Sequence, residues 1–262
     1  MSSDVLQVAE EAASAAGLLV MDHFKRSVAA RAKGVANMVT DADFAAEHAI
    51  VDVIRRRRPG DDVLAEEGHT ADVDAERLWV VDPLDGTHNF AHGLPHFAVS
   101  IAYYERGEPL VGVVLNPNTN EWYRAIRGHG AFHNDQRVCV NGHDSLNQAM
   151  LACGFPYDRD ALMDATLAAM GDLIRAEIHG IRRLGTASLD LCWVGLGRFG
   201  GFFEYLLSPW DFAAARLFVE EAGGKVTDGR GASLGLRPSS VLATNGRLHS
   251  PILEIVRGHH PI

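Results

Sequence analysis

The sequence predicts a layered fold of mixed α and β elements running through one continuous unit. Three observations carry that reading. Apolar residues recur at helical spacing in the N-terminal segment, turn-separated β-rich runs fill residues 97–140, and strand-like runs alternate with helices beyond about residue 145. Neither an internal repeat nor a low-complexity linker interrupts the chain. The expected organisation is a single domain over residues 1–262, with an N-terminal α+β part to about residue 145 and a C-terminal α/β part from about residue 146.

Val5, Val8, Ala12, Ala15, Leu19 and Phe24 predict a first amphipathic helix over residues 4–24. A second begins near Thr40, runs through Phe44, Ile50, Val51 and Ile54, and stops at Pro59-Gly60. The basic run Arg55 to Arg58 sits at its end, where cations complement the helix dipole, and reads as a solvated face rather than a nucleic-acid patch. Short apolar runs at Val63-Leu64 and Leu78-Trp79-Val80-Val81 each lead into acidic residues. From Phe97 to Val140, the turns Arg106-Gly107-Glu108-Pro109 and Asn116-Pro117-Asn118-Thr119-Asn120 separate three β-rich runs, an antiparallel meander. Helices follow near 159–177, 186–197 and 210–222, then a strand around Val241-Leu242-Ala243 and a short terminal helix.

An apolar fraction of 47% with 22% charged residues fits a folded globular chain rather than a disordered one. No apolar run reaches the roughly eighteen residues of a membrane span. The first helix carries Asp4, Glu10 and Glu11 and lacks a basic n-region, which argues against a signal peptide, and the cysteine usage suits a reducing cytoplasm. A net charge of −10 disfavours nucleic acid and anionic lipid as partners. It also means that phosphate handling would need local neutralisation, for which divalent cations serve. Cys139, Cys153 and Cys192 form no CxxC pair, so buried or half-buried reduced thiols are expected rather than a disulfide or zinc site.

The most informative segment is Trp79-Val80-Val81-Asp82-Pro83-Leu84-Asp85-Gly86-Thr87-His88-Asn89-Phe90. An apolar strand delivers Asp82 at its end, Pro83 fixes the backbone as the chain leaves the sheet, and Asp85 follows. Gly86 permits close backbone approach, and the N–H groups of residues 86–88 are placed to face a phosphate. A plainer reading makes Asp85 a helix cap and Asp82 a strand end. Glu66-Glu67-Gly68, closing a short strand, and Asp211, opening a helix after Pro209-Trp210, shift the balance, because ligand-binding residues gather at such termini. If Glu66, Asp82, Asp85 and Asp211 meet, like charges raise one another's pKa. All-oxygen ligands then select magnesium, with manganese as a substitute. A shared Asp82 could bridge two ions.

This set resembles the inositol monophosphatase family. Asp82 to Phe90 looks like its first signature, Trp210-Asp211 with Glu221-Ala222-Gly223-Gly224 like its second, and Arg183-Leu184-Gly185-Thr186-Ala187-Ser188 and Phe202-Phe203-Glu204 match between them. Leu94 to Ile101 is similar to bacterial members. The resemblance implies a layered αβαβα sandwich and hydrolysis of a small phosphate monoester by metal-activated water, using two to three magnesium ions. Glu66, Asp82 and the Leu84 carbonyl would hold one ion, Asp82, Asp85 and Asp211 a second, and a weaker third would sit near Glu66. Gly86 and Thr87 would bind phosphate through backbone amides. Glu67 and Thr87 would orient water, with Asp43 bonded to the Thr87 hydroxyl. Gly185, Thr186, Ala187 and Glu204 would line the polyol side, and Lys33 would lie on a loop over the metals. Ala65 stands where the family often has Gly, and Asn37 where Asp is common; neither is a ligand position.

Inositol 1-phosphate is the first substrate choice. Fructose 1,6-bisphosphate, histidinol phosphate and 3′-phosphoadenosine nucleotides are alternatives, as is a mainly regulatory, RNA-associated binding role. A homodimer is expected from the resemblance.

Weaker signals have plainer readings. Thr40-Asp41-Ala42-Asp43 fits a capping box, a role compatible with catalysis for Asp43. Gly195-Leu196-Gly197-Arg198-Phe199-Gly200 satisfies GxGxxG in reversed context, helix before strand, and reads as a helix stop. His92 and His96 are separated by Gly93 and Pro95, which break the helix a zinc pair needs, and read as surface or loop histidines. Ser100 and Ser188 lack a nucleophile elbow. Trp79, Trp122, Trp193 and Trp210 read as core or interface aromatics.

Overall fold

A computed structural model describes residues 2–26, 31–32, 38–39, 41–157 and 160–261. Lys33, Asn37 and Thr40 lie outside the described residues. Helix α1 (Ser2–Lys25) is followed by the antiparallel pair β1 (Arg31–Ala32) and β2 (Met38–Val39), then by α2 (Asp41–Arg57). A seven-stranded sheet takes β3 (Asp62–Ala65), β4 (Arg77–Asp85), β5 (Ala98–Glu105), β6 (Glu108–Asn116), β7 (Glu121–Ile126), β8 (Gly130–His133) and β9 (Gln136–Val138) in chain order. Only β3 and β4 run parallel, and the rest is an antiparallel meander of five strands where the turn signals divided three runs. The short α3 (Thr87–Ala91) follows β4.

The second sheet is built from β10 (Met150–Cys153), β11 (Gly180–Arg182), β12 (Gly201–Leu207), β13 (Lys225–Thr227) and β14 (Ser239–Thr244), in the spatial order β11-β10-β12-β14-β13. Around it lie α4 (Ala161–Arg175), α5 (Ala187–Gly195), α6 (Pro209–Glu221) and α7 (His249–His259).

Period-two alternation sorts these strands into layers. On β4, Trp79 and Val81 point into a core with Val8, Ala12 and Ala16 of α1 and Ile50 and Ile54 of α2, whereas Leu78 and Val80 point to the other face. That opposite face packs on Leu191 and Val194 of α5 and on Phe212, Leu217 and Phe218 of α6. On β12, Phe202 faces this same middle layer, while Phe203 faces Ala169 and Leu173 of α4 and Ile252 of α7. The result is a sandwich of helices, sheet, helices, sheet, helices. The nearly all-apolar runs of β4 and β5 follow from it, since a sheet covered on both faces has no solvent side to encode.

Three local readings change. Strand β4 does not leave the sheet at Pro83; it continues to Asp85, which pairs with Ala98 after a register shift beyond the Asp82–Ser100 pair. A bulge tolerates the N–H that proline lacks and re-aims the side chains around it. Cys139 is exposed, in the coil that follows the last strand of the large sheet, whereas Cys153 and Cys192 are buried as expected. Arg56 and Arg57 are not simply solvated: each lies 2.6 Å from a Glu11 carboxylate oxygen, tying α2 to α1. The glycine motif at 195–200 ends α5 and precedes β12, with Gly197 at φ +71°, as a helix stop requires.

Candidate active site

Four elements end at one place. The turn after β3 brings Glu66, the bulged end of β4 brings Asp82, Leu84 and Asp85, the start of α3 brings Gly86 and Thr87, and the first turn of α6 brings Asp211. Together these residues line a cavity of about 300 Å³, with Tyr157, Ser208 and Trp210 completing the wall. Sites built on strand ends and helix starts inherit the rigidity of the sheet.

Each carboxylate is held locally. Asp82 Oδ1 accepts the Leu84 N–H at 3.0 Å across the bulge. Asp85 Oδ2 accepts the Ser188 N–H at 2.7 Å, linking β4 to the start of α5. Asp211 Oδ2 accepts the Ser208 N–H at 2.7 Å, the reciprocal contact of a capping box in which Asp211 is the third helical residue. The Thr87 hydroxyl lies 3.0 Å from both Asp43 Oδ1 and the Leu84 carbonyl. The expected Asp43–Thr87 partnership is therefore present in the geometry.

Burial sets the electrostatics. Loss of water, followed by the charges of Glu66, Asp85 and Asp211, pushes Asp82 well above the ordinary carboxylate range. Burial and then Asp85 and Glu66 do the same to Asp211. Burial raises Asp85 to about 6, restrained by the N–H groups of Ser188 and Ala187.

Beside this cavity lies a second, of about 200 Å³, which shares Asp85, Gly86, Thr87, Tyr157, Ser208 and Asp211. Its further walls include Gly185, Thr186, Ala187 and Glu204, all four residues expected on the polyol side. Burial raises Glu204 to about 8 although Arg183 opposes the shift. Two glycines make the room: Gly86 has φ +91° and a Cβ there would lie 2.4 Å from Thr186 Oγ1, while a Cβ on Gly154 would lie 1.8 Å from Glu204 Oε2. Asn89 staples the rim, its Nδ2 donating to the carbonyls of His96 and Leu184, each at 2.8 Å.

Several contributors went unread in the sequence. Glu47 is buried beneath the Glu66-Glu67 turn, and its signal was its position one helical turn after Asp43. Asp190 and Tyr157 line the second cavity with no spacing to announce them, and Arg183, which opens the 183–188 motif but carried no assigned role, lines it too. His96 lies in the loop before β5, as expected, and is partly buried there; its Nε2 faces Asp190 Oδ1 at 3.9 Å, beyond hydrogen-bond range. His92 is exposed as expected.

Among the described residues no group of three or more His, Cys, Asp or Glu side chains is arranged to hold a metal ion as it stands. The four carboxylates share a cavity without closing into a cage. Their chemistry nonetheless fits a hard divalent cation: all donors are oxygens, the cavity lining includes no Lys or Arg among the described residues, and mutual repulsion is what a cation would relieve.

The layered sandwich and the acid-lined cavity at its strand ends place the chain in the layered α/β class, with its site where strands end and helices begin. A family model described as the inositol monophosphatase family matches residues 1–260, and the chain belongs to that family. It is 39% identical over 256 residues to a Haemophilus influenzae protein named Nus factor SuhB, covering 97% of this chain and 96% of that one. It is 41% identical over 226 residues to an inositol-1-monophosphatase of Rhizobium meliloti, covering 86% and 85%. A solved Thermotoga maritima IMPase superimposes with a TM-score of 0.89 at 35% identity, covering 98% of each chain. None of the described helices is long and apolar enough to cross a membrane.

Proposed function

We propose that the chain is a magnesium-dependent phosphatase of small phosphorylated metabolites, acting in the cytoplasm, with inositol 1-phosphate as its first substrate. One observation carries this reading: Glu66, Asp82, Asp85 and Asp211 line one cavity together with Thr87, whose hydroxyl is 3.0 Å from Asp43 and from the Leu84 carbonyl.

Glu66, Asp82 and the Leu84 carbonyl would hold one magnesium ion, and Asp82, Asp85 and Asp211 a second; a weaker third would belong near Glu66, and manganese would substitute. When bound, such ions supply a lowered water pKa and neutralise charge on the leaving oxygen. The remaining work falls to the chain. The N–H groups of Gly86 and Thr87 hold the phosphoryl oxygens in line. The Thr87 hydroxyl and the Glu67 carboxylate orient the attacking water, the carboxylate being the group that can accept its proton, while Asp43 fixes the hydroxyl's direction. Asp85, Glu204 and the segment Gly185-Thr186-Ala187 take the hydroxyls of the leaving group.

A polyol is favoured because the second cavity combines carboxyl, hydroxyl and backbone groups with Arg183. A panel of inositol 1-phosphate, fructose 1,6-bisphosphate, histidinol phosphate and a 3′-phosphoadenosine nucleotide, ranked by kcat/KM with magnesium, tests the substrate. Preference for the nucleotide overturns the ranking. Activity that survives exhaustive chelation overturns the metal.

A second reading, regulatory binding in an RNA-associated complex, is favoured by the relative named Nus factor SuhB. The net charge of −10 and the pairing of Arg56, Arg57 and Arg58 with acidic residues argue against direct nucleic-acid contact. Full complementation of a deletion strain by an inactive Asp82→Asn protein would establish the regulatory role. The exposed Leu167 and Ile174 on α4 supply an apolar stripe suited to the expected homodimer, which light scattering would detect.

A further inference from the structure

Helix α2 carries two buried carboxylates one turn apart, and each grips a different acidic loop. Asp43 is 1% exposed and lies 3.0 Å from the Thr87 hydroxyl, at the loop that follows β4. Glu47 is 3% exposed and sits inside the turn that follows β3. Its Oε2 accepts the Glu67 N–H at 2.7 Å, and its Oε1 lies 2.8 Å from His69 Nδ1. A carboxylate only accepts, so Nδ1 carries the proton. The turn closes around these contacts through the Ala65 N–H, which donates to the His69 carbonyl at 2.8 Å. Ile50, Val51 and Ile54 anchor the same helix in the core, so α2 cannot shift to follow either loop.

We infer that Glu47 is a positioning residue: it holds the turn bearing Glu66 and Glu67 at a fixed distance from the segment Asp82 to Thr87 at the end of β4 and thereby sets the affinity of the cavity for its cations. The inference rests on the metal reading of that cavity. Without Glu47 the Glu67 N–H loses its acceptor in a half-buried turn, and the turn gains freedom that cation binding must then remove. Groups that orient metal ligands from behind cost about 10–100-fold in affinity when removed.

The test is calorimetric titration with Mg2+ of the full-length protein and its variants, with urea unfolding measured alongside. Glu47→Ala is expected to bind Mg2+ about 10–100-fold more weakly. Its concentration of Mg2+ for half-maximal activity should rise in step, while KM for substrate at saturating Mg2+ stays within about threefold. Glu47→Gln keeps an acceptor for the Glu67 N–H, and a neutral histidine can turn its other tautomer toward the amide. It is expected to recover wild-type affinity to within about threefold. Should the alanine protein not fold, Glu47→Asp, which keeps the charge but falls short of both donors, is expected to show the same loss. Either short variant binding Mg2+ as tightly as wild type overturns the proposal, as does a glutamine variant as weak as the alanine one. A wild-type protein that binds no Mg2+ removes the reading of the site itself, which separates the two failures.

Discussion

In the cavity walled by Glu66, Asp82 and Asp211, neither lysine nor arginine stands among the described lining residues; in the cavity beside it, Arg183 faces Glu204 and Asp190. The first accumulates buried negative charge that its own walls leave unbalanced, and its carboxylates raise one another. In the second, burial also raises Glu204 and Asp190, but Arg183 pulls both back. One surface thus calls for a cation from solution, and the other suits a neutral, hydrogen-bonding group. Asp85, Gly86 and Thr87 belong to both walls, which is where a phosphate joined to a polyol would lie.

The sharpest way to break this contrast is Asp82→Asn. Losing the carboxylate shared between the two proposed cation positions should lower kcat/KM by roughly a thousandfold, about 4 kcal/mol of transition-state stabilisation. In chelator the same protein should be no less stable than wild type, because a repelled, buried charge has been removed. A lower midpoint in urea would contradict that.

Glu204→Gln probes the second cavity next. The native state keeps on Glu204 a proton that the unfolded chain releases near pH 4.5 and the folded one only near 8. Its contribution is therefore fully present below pH 4.5 and is lost as pH rises through 8, by on the order of 5 kcal/mol. Urea unfolding in chelator at both ends of that window should show the glutamine variant losing less stability than wild type. Equal losses would place the carboxyl in a wetter setting than its burial indicates.

Gly86→Ala tests the seam between the two cavities. With φ at +91° and Thr186 Oγ1 at 2.4 Å from the new Cβ, the variant should lose about 2 kcal/mol of stability and most of its activity. Wild-type kinetics would mean that the seam is not where phosphate binds. The smallest effect is expected from Arg183→Met. Because Arg183 is exposed, the stability change should stay below about 1 kcal/mol, while KM for a polyol phosphate rises roughly tenfold. A change in Mg2+ affinity instead would show that the two cavities are not electrically separate.

How much of this was legible in the chain differs from residue to residue. Asp82, Asp85, Gly86 and Thr87 stand within a few positions of one another, so their shared wall follows from one strand and one turn. Glu66 and Asp211 were legible as a strand end and a helix start. Strand β4 misled at Pro83, because whether a proline ends a strand or sits in its bulge depends on the neighbouring strand, here Ala98 to Ser100 of β5. Cys139 misled because a thiol's usual burial says nothing about a coil at the rim of a sheet.

The sequence by itself determined the helices, the meander and the residue types of the acid set, since these depend on periodicity and turn chemistry within short windows. Tertiary structure alone decided that α5 and α6 lie between two sheets, that Glu47 reaches the Glu67 N–H, and that Arg183 lies close enough to Glu204 to oppose its shift. Those contacts join segments far apart in the chain. They arise from burying two faces of each sheet at once, and no local pattern of residues specifies which distant partner will fill the space.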